Sequence, residues 1–185
     1  MIRTYLKSVY KNLLSHDNRV RLYHIMGSML DDRPVLKYDM FHHISRLKQL
    51  GFCPSYIVDV GAYKGDWTKR TLDIFPDSTF VMIEAQSSKI RELEDVRVQH
   101  ANVSLECALL GDEKRHDVVF FEMETGSSIY KENTNVARTV SHLQMDTLDN
   151  VMDKYPIDGE CFLKMDVQGA ELDVLRGAQN FLKYT

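Results

Sequence analysis

The sequence predicts an α/β domain with a largely parallel sheet covered by helices on both faces. Three observations carry that expectation. Short apolar runs at Tyr56–Val60, Thr79–Ile83 and Cys161–Met165 read as strands, and each is followed by residues at helical spacing. An acid stands at or near the end of each run, Asp59, Glu84 and Asp166. The runs are mostly apolar rather than alternating, as strands covered on both faces are, and strand-helix repeats of this kind place helices on both faces through right-handed crossovers.

Taken in order, residues 1–50 carry apolar positions at helical period, with a break near Asp31-Asp32-Arg33-Pro34 and a stop at Gly51. They form an expected N-terminal helical extension to a domain spanning residues 51–185. The first strand ends in Gly61, and Trp67, Thr71 and Ile74 mark the helix that runs to Phe75-Pro76. Glu84 closes the second strand, and Ser87 or Ser88 is placed to cap a helix towards Leu93. Ser104–Leu110 reads as a third strand, which a Gly111-Asp112 turn would join to Asp117–Met123 as an inserted β-hairpin. The polar stretch Glu124–Ser141 reads as a loop over one end of the sheet. Leu148, Val151, Met152 and Tyr155 give a short helix, and after the strand at Cys161–Met165 another helix starts from Ala170 or Glu171.

Length and composition narrow the function. With 185 residues, 44% of them hydrophobic, the chain can bury one sizeable core. A net charge of -4 without a dense Lys/Arg run argues against a nucleic-acid partner and for a small-molecule or carbohydrate substrate. Cys53, Cys107 and Cys161 are far apart and odd in number, which reads as buried thiols in a reducing, cytoplasmic setting. Arg3, Lys7 and Lys11 interrupt the apolar residues of the N-terminus, so no signal peptide is expected there, and no run reaches membrane-spanning length. His100, His116 and His142 lack ligand-like spacing, and no metal is expected.

In an open parallel sheet, ligands bind beyond the carboxyl ends of the strands. The loop Asp59-Val60-Gly61-Ala62-Tyr63-Lys64-Gly65-Asp66 lies there, between a strand and a helix. A dinucleotide site would want a second glycine where Tyr63 stands, so that the backbone could approach a pyrophosphate. S-adenosyl-L-methionine carries an ammonium and no phosphate, which suits an acid such as Asp59, directly or through water. Glu84 is placed to accept the two hydroxyls of a ribose.

The segment Leu163-Lys164-Met165-Asp166-Val167-Gln168-Gly169-Ala170-Glu171, continuing into Val174-Leu175-Arg176-Gly177-Ala178, is more specific. It resembles the hallmark of the FkbM family of class I S-adenosylmethionine-dependent methyltransferases, with Gln168 in place of the usual first glutamate. The loop at Asp59–Gly65 is similar to that family's Asp-Val-Gly-Ala-Asn-x-Gly, with Tyr63 for Asn. Leu50–Asp59, Ile83-Glu84-Ala85, Ala108-Leu109 with Gly111-Asp112, and Ser127-Ser128 also resemble family positions, so the likeness runs from about residue 47 to the C-terminus.

The resemblance implies a Rossmann-like fold and methyl transfer to oxygen, often on a sugar or polyketide hydroxyl. It implies cofactor contacts at Asp59, Gly61, Ala62, Tyr63, Gly65, Glu84, Ala85, Ala108 and Leu109. Ser127 and Ser128 are the expected substrate contacts. Asp166 is the first candidate for orienting or deprotonating the acceptor, and Glu171 the second. Because class I methyltransferases continue through further strands, a chain stopping at Thr185 is expected to be truncated at its C-terminus. Two rival readings stand beside this one, a non-catalytic cofactor-binding or scaffold relative and a nicotinamide-dependent oxidoreductase.

Overall fold

The structure, a computed structural model, describes residues 40–131 and 137–185. The chain divides into two compact units, Met1–His42 and His43–Thr185, of which the second carries the sheets. Apart from helix α1, Met40–Gln49, the expected N-terminal extension lies outside the described residues. The elements that follow are β1 (Tyr56–Val60), α2 (Asp66–Ile74), β2 (Thr79–Glu84), α3 (Ile90–Gln99), β3 (Val103–Cys107) and β4 (Leu109–Leu110). After them come β5 (Arg115–Glu122), β6 (Thr139–Asp146), α4 (Leu148–Met152), β7 (Cys161–Met165) and α5 (Glu171–Arg176).

Four parallel strands form the main sheet in the order β3-β2-β1-β7. Every residue of β1 is buried, because the strand is flanked on both edges and covered on both faces. Side-chain alternation assigns the two faces. Val58, Val60, Val81, Ile83, Cys161 and Leu163 pack with Leu148, Val151 and Met152 of α4 and with Val174 of α5. On the other face, Met82 meets the start of α2 at Gly65, beside Leu93 and Val96 of α3, and Trp67 of α2 stacks edge-on against Phe162 at 5.9 Å. The predicted class therefore holds: a Rossmann-like α/β sheet with helices on both faces. Among the described residues, no helix is long and apolar enough to cross a membrane.

The departures from the sequence reading have physical causes. The expected third strand is two pieces: Val103–Cys107 belongs to the main sheet, while Leu109–Leu110 turns away to pair in parallel with β6 in a second sheet ordered β4-β6-β5. The hairpin forms between β5 and β6, not across Gly111-Asp112. Gly111 serves packing, since a Cβ there would come within 2.2 Å of Met145 Sδ. Strand β6 lies partly inside the stretch read as loop, beginning at Thr139. Neither Ser87 nor Ser88 caps α3; they open a 3-10 turn, Ser87–Lys89, with no side-chain cap at either boundary. Of the three cysteines only Cys161 is buried, with Cys53 and Cys107 exposed.

Candidate active site at the carboxyl edge of the sheet

From β1 the chain winds outward through β2 to β3, and it returns to the opposite side of β1 as β7. The strand order therefore reverses between β1 and β7, and at such a point the two connections part and leave a crevice at the carboxyl edge. A cavity opens there, walled by Gly61 and Tyr63 after β1, Glu84, Ala85 and Gln86 at β2, Ala108 and Leu109 beyond β3, and Asp166, Val167 and Gln168 after β7. Phe120 and the segment containing Glu124, Thr125, Ser127, Ser128 and Ile129 close its remaining side.

The glycine loop is shaped by close approach. Gly61 adopts φ 74°, and a Cβ on it would stand 2.1 Å from the Asp166 carbonyl oxygen, so the exits of β1 and β7 touch only because that atom is missing. Tyr63 follows at φ 52°, a left-handed conformation that asparagine adopts more readily than tyrosine. Gly65, at φ 76°, turns towards Val96, Leu93 and Met82 and does not wall the cavity. Ala62 is likewise off the cavity, with its N–H donating to the Ile83 carbonyl at 3.1 Å. We expect Gly61→Val to destabilise the fold by about 1–3 kcal/mol through overpacking against the protein's own β7 exit. Urea unfolding checks this, and a variant as stable as wild type would show that the junction relaxes freely.

Asp59 is fully enclosed and faces away from the cavity. Its carboxylate accepts from Thr68 Oγ1 at 2.7 Å and from Lys164 Nζ at 2.8 Å, while Lys164 also donates to the Gly61 carbonyl at 3.0 Å. Asp59 and Lys164 stand opposite each other in the β1–β7 register, which brings an acid and a base distant in sequence into one ion pair. The pair ties the glycine loop to β7.

Glu84 is buried on the cavity wall. One carboxylate oxygen accepts the Tyr63 N–H and the other the Gln86 N–H, each at 2.8 Å. Two N–H groups use only part of the acceptor capacity of a carboxylate, leaving lone pairs for hydroxyl groups. Ala108 is fixed alongside by its N–H, which donates to the Glu84 carbonyl at 3.0 Å.

On the β7 side, Asp166 lines the cavity and is exposed, and its Oδ1 accepts from Gln168 Nε2 at 2.7 Å. Glu171 does not line the cavity: its carboxylate accepts the Val167 N–H at 3.2 Å and the Gly169 N–H at 3.0 Å, clamping the turn before α5. Both serines line the cavity, yet both hydroxyls are engaged with backbone. Ser127 Oγ accepts from the Met123 N–H at 2.9 Å and donates to the Met123 carbonyl. Ser128 Oγ donates to the Gln168 carbonyl at 2.9 Å and accepts the Tyr130 N–H.

The segment from Met123 to Tyr130 is anchored at both ends of the crevice. Glu124 takes the Tyr63 hydroxyl and the Lys89 ammonium, the latter at 3.0 Å, and these two bonds hold its carboxyl below the usual range. The Glu124 bond in turn raises the Lys89 ammonium, against the opposing effect of burial. At the far end the Tyr130 hydroxyl donates to Asp173 of α5 at 2.5 Å.

Among the residues singled out in the sequence, the structure brings Gly61, Tyr63, Glu84, Ala85, Ala108, Leu109, Ser127, Ser128 and Asp166 to one cavity. Asp59, Ala62, Gly65 and Glu171 stand behind it as supports. Gln86, Lys89, Glu124 and Lys164 went unremarked as site residues. Lys164 alone had a visible signal, as the lysine at the end of an apolar strand, and the others enter through loop geometry.

The profile of the methyltransferase FkbM domain matches residues 59–184. No curated protein matches the sequence significantly. Among solved structures, the fold is similar to the methyltransferase FkbM from Methylobacillus flagellatus KT, at 17% identity and a TM-score of 0.50, over 94% of this chain and 43% of that one. The chain thus spans less than half the length of that relative. A slighter likeness, 15% identical with a TM-score of 0.30, extends to the precorrin-6y C5,15-methyltransferase of Geobacter metallireducens GS-15, over 42% of this chain and 41% of that one.

Proposed function

We propose, for a chain that belongs to the FkbM methyltransferase family by its match over residues 59–184, methyl transfer from S-adenosylmethionine to a hydroxyl of a sugar, polyketide or other small molecule. One observation carries the reading. The charged residues lining the cavity, among those described, are Glu84, Glu124 and Asp166, all acids. S-adenosylmethionine is a net cation, with a sulfonium and an ammonium against one carboxylate, whereas a nicotinamide dinucleotide brings a pyrophosphate that these acids would repel.

The residues present fit such a cofactor. Glu84 would hold the ribose with the lone pairs that its two N–H partners leave free, and Ala85, Leu109 and Phe120 offer an apolar wall to the flat base. When bound, the cofactor supplies a methyl group on an electrophilic sulfonium. Asp166 would orient the acceptor hydroxyl and take its proton as the oxygen–methyl bond forms and the sulfur–methyl bond breaks. Lys164 and Asp59 would hold the glycine loop in register with Asp166, so their part is to position.

S-adenosylhomocysteine calorimetry tests the proposal directly. Wild type should bind it, and Glu84→Ala should lose about 1.5–3 kcal/mol of affinity if charge-assisted bonds to the ribose are removed. A wild type with no affinity would favour the scaffold reading. A loss under tenfold in the variant would remove Glu84 from the ribose.

A further inference from the structure

We propose that Gln168 is a positioning residue for the reaction, holding one oxygen of Asp166 so that the other is presented to the acceptor hydroxyl. The inference rests on the proposed methyl transfer and on Asp166 as its proton acceptor. The bond from Gln168 Nε2 to Asp166 Oδ1, at 2.7 Å, joins two exposed side chains on the wall of the same cavity. It is made from a strained backbone: Gln168 sits at φ 51°, outside the usual range for a residue other than glycine, asparagine or aspartate. Two contacts hold that conformation. Ser128 Oγ grips the Gln168 carbonyl, and the Glu171 carboxylate grips the N–H of Gly169 next to it.

Chemistry explains why an amide suits this place. A side-chain amide donates to an ionised carboxylate without carrying charge, whereas a glutamate could bond to Asp166 only by sharing a proton with it. The other ionisable groups around Asp166 have partners of their own. Across the cavity, Glu84 takes two backbone N–H groups and Glu124 takes Tyr63 and Lys89. Beside the turn, Lys164 is paired with Asp59 and Glu171 with the turn backbone. Among the described residues Gln168 is the side chain that donates to Asp166, and none donates to Oδ2.

Two variants separate positioning from a merely structural role. Gln168→Asn is too short to reach Asp166 but tolerates positive φ better than glutamine, so a structural role predicts equal or greater stability and no change at Asp166. Gln168→Glu keeps the length and sets a second carboxyl against the first. The Asp166 side-chain carboxyl carbon is followed by NMR at neutral pH in the ligand-free protein, with unfolding midpoints measured in parallel. Positioning predicts that this resonance moves in both folded variants, because Asp166 Oδ1 loses its donor in one and faces a second carboxyl in the other. Once an acceptor is found, kcat should fall about tenfold in Gln168→Asn at unchanged KM. Should either variant fail to fold, the wild-type Gln168 side-chain amide decides, because the hydrogen bonded to Asp166 must lie downfield of those of solvent-exposed glutamines. An Asp166 carboxyl resonance unchanged in folded Gln168→Glu, or Gln168 amide resonances like those of solvent-exposed glutamines, overturns the proposal. Absence of S-adenosylhomocysteine binding by wild type would instead strike the methyl-transfer reading, since the NMR comparison involves no ligand.

Discussion

Asp166→Asn is expected to lower methyl transfer by about 10²-fold or more while leaving S-adenosylhomocysteine affinity nearly unchanged. The reasoning starts from the side chain's surroundings. Asn retains an amide oxygen able to accept from Gln168 Nε2, so the 2.7 Å bond can survive and the local geometry with it. What disappears is the negative charge and the basicity. An acceptor hydroxyl is a poor nucleophile until its proton has somewhere to go, and in the variant no carboxylate of the β7 turn takes it, because Glu171 is occupied by the turn backbone. Single-turnover rates with an acceptor that wild type methylates, set beside calorimetry on the same preparations, provide the check. Comparable turnover would remove Asp166 from the chemical step, and a parallel collapse of affinity would move it into the cofactor site.

Lys164→Met should carry the largest stability loss, about 3–5 kcal/mol. Asp59 has no exposed surface and Lys164 is nearly as enclosed, with 16% of its side chain exposed. Removing the ammonium leaves a buried carboxylate with Thr68 as its remaining hydrogen-bond donor and takes one bond from the Gly61 carbonyl. The ammonium also stands over the Trp67 ring, with Nζ 5.8 Å from its centre, an attraction that goes with the charge, while methionine is close to lysine in volume. The loss should therefore come from charge rather than volume. Denaturant unfolding measures it, and adding Asp59→Asn to Lys164→Met should recover a large part of the loss by removing the stranded charge. A single-variant loss below about 1 kcal/mol, no more than an exposed pair contributes, would mean that water reaches the pair.

The parts of the fold that sequence made legible are those whose signal is local. Strands β1, β2 and β7 announce themselves because strands lying between two layers of helices are mostly apolar, and an acid at or near each of their ends marks the crevice. The second sheet is obscure for the same reason inverted. Strand β6 pairs with β4 and β5 but keeps Val140, His142 and Gln144 in water, and with Thr139 and Ser141 on its other face it has the look of a loop. The break at Ala108, where the chain leaves one sheet for another, has no glycine or proline to mark it.

At the site, residue identity was easier to read than residue partnership. Asp59 stands at a strand end as an acid facing a cofactor would, but the register opposite Lys164 turns it inward, and that register depends on pairing across the sheet. Tyr63 and Gln168 could be recognised as departures from the family pattern, but their positive φ values could not. Glu124 and Lys89 meet only because the connection between β5 and β6 folds back over the crevice.

The contact between the exits of β1 and β7 has a mechanical consequence. Gly61 lets the Asp166 carbonyl come close, Lys164 bonds back to the Gly61 carbonyl, and the Asp166 N–H donates to the Val60 carbonyl at 3.0 Å. The glycine loop and the acid facing it are thus riveted to one another at the rim of the sheet rather than suspended on separate arms. In the proposed transfer, where an error of about 1 Å in the reacting geometry can cost 10²-fold in rate, alignment would be inherited from two neighbouring hydrogen-bonded strands.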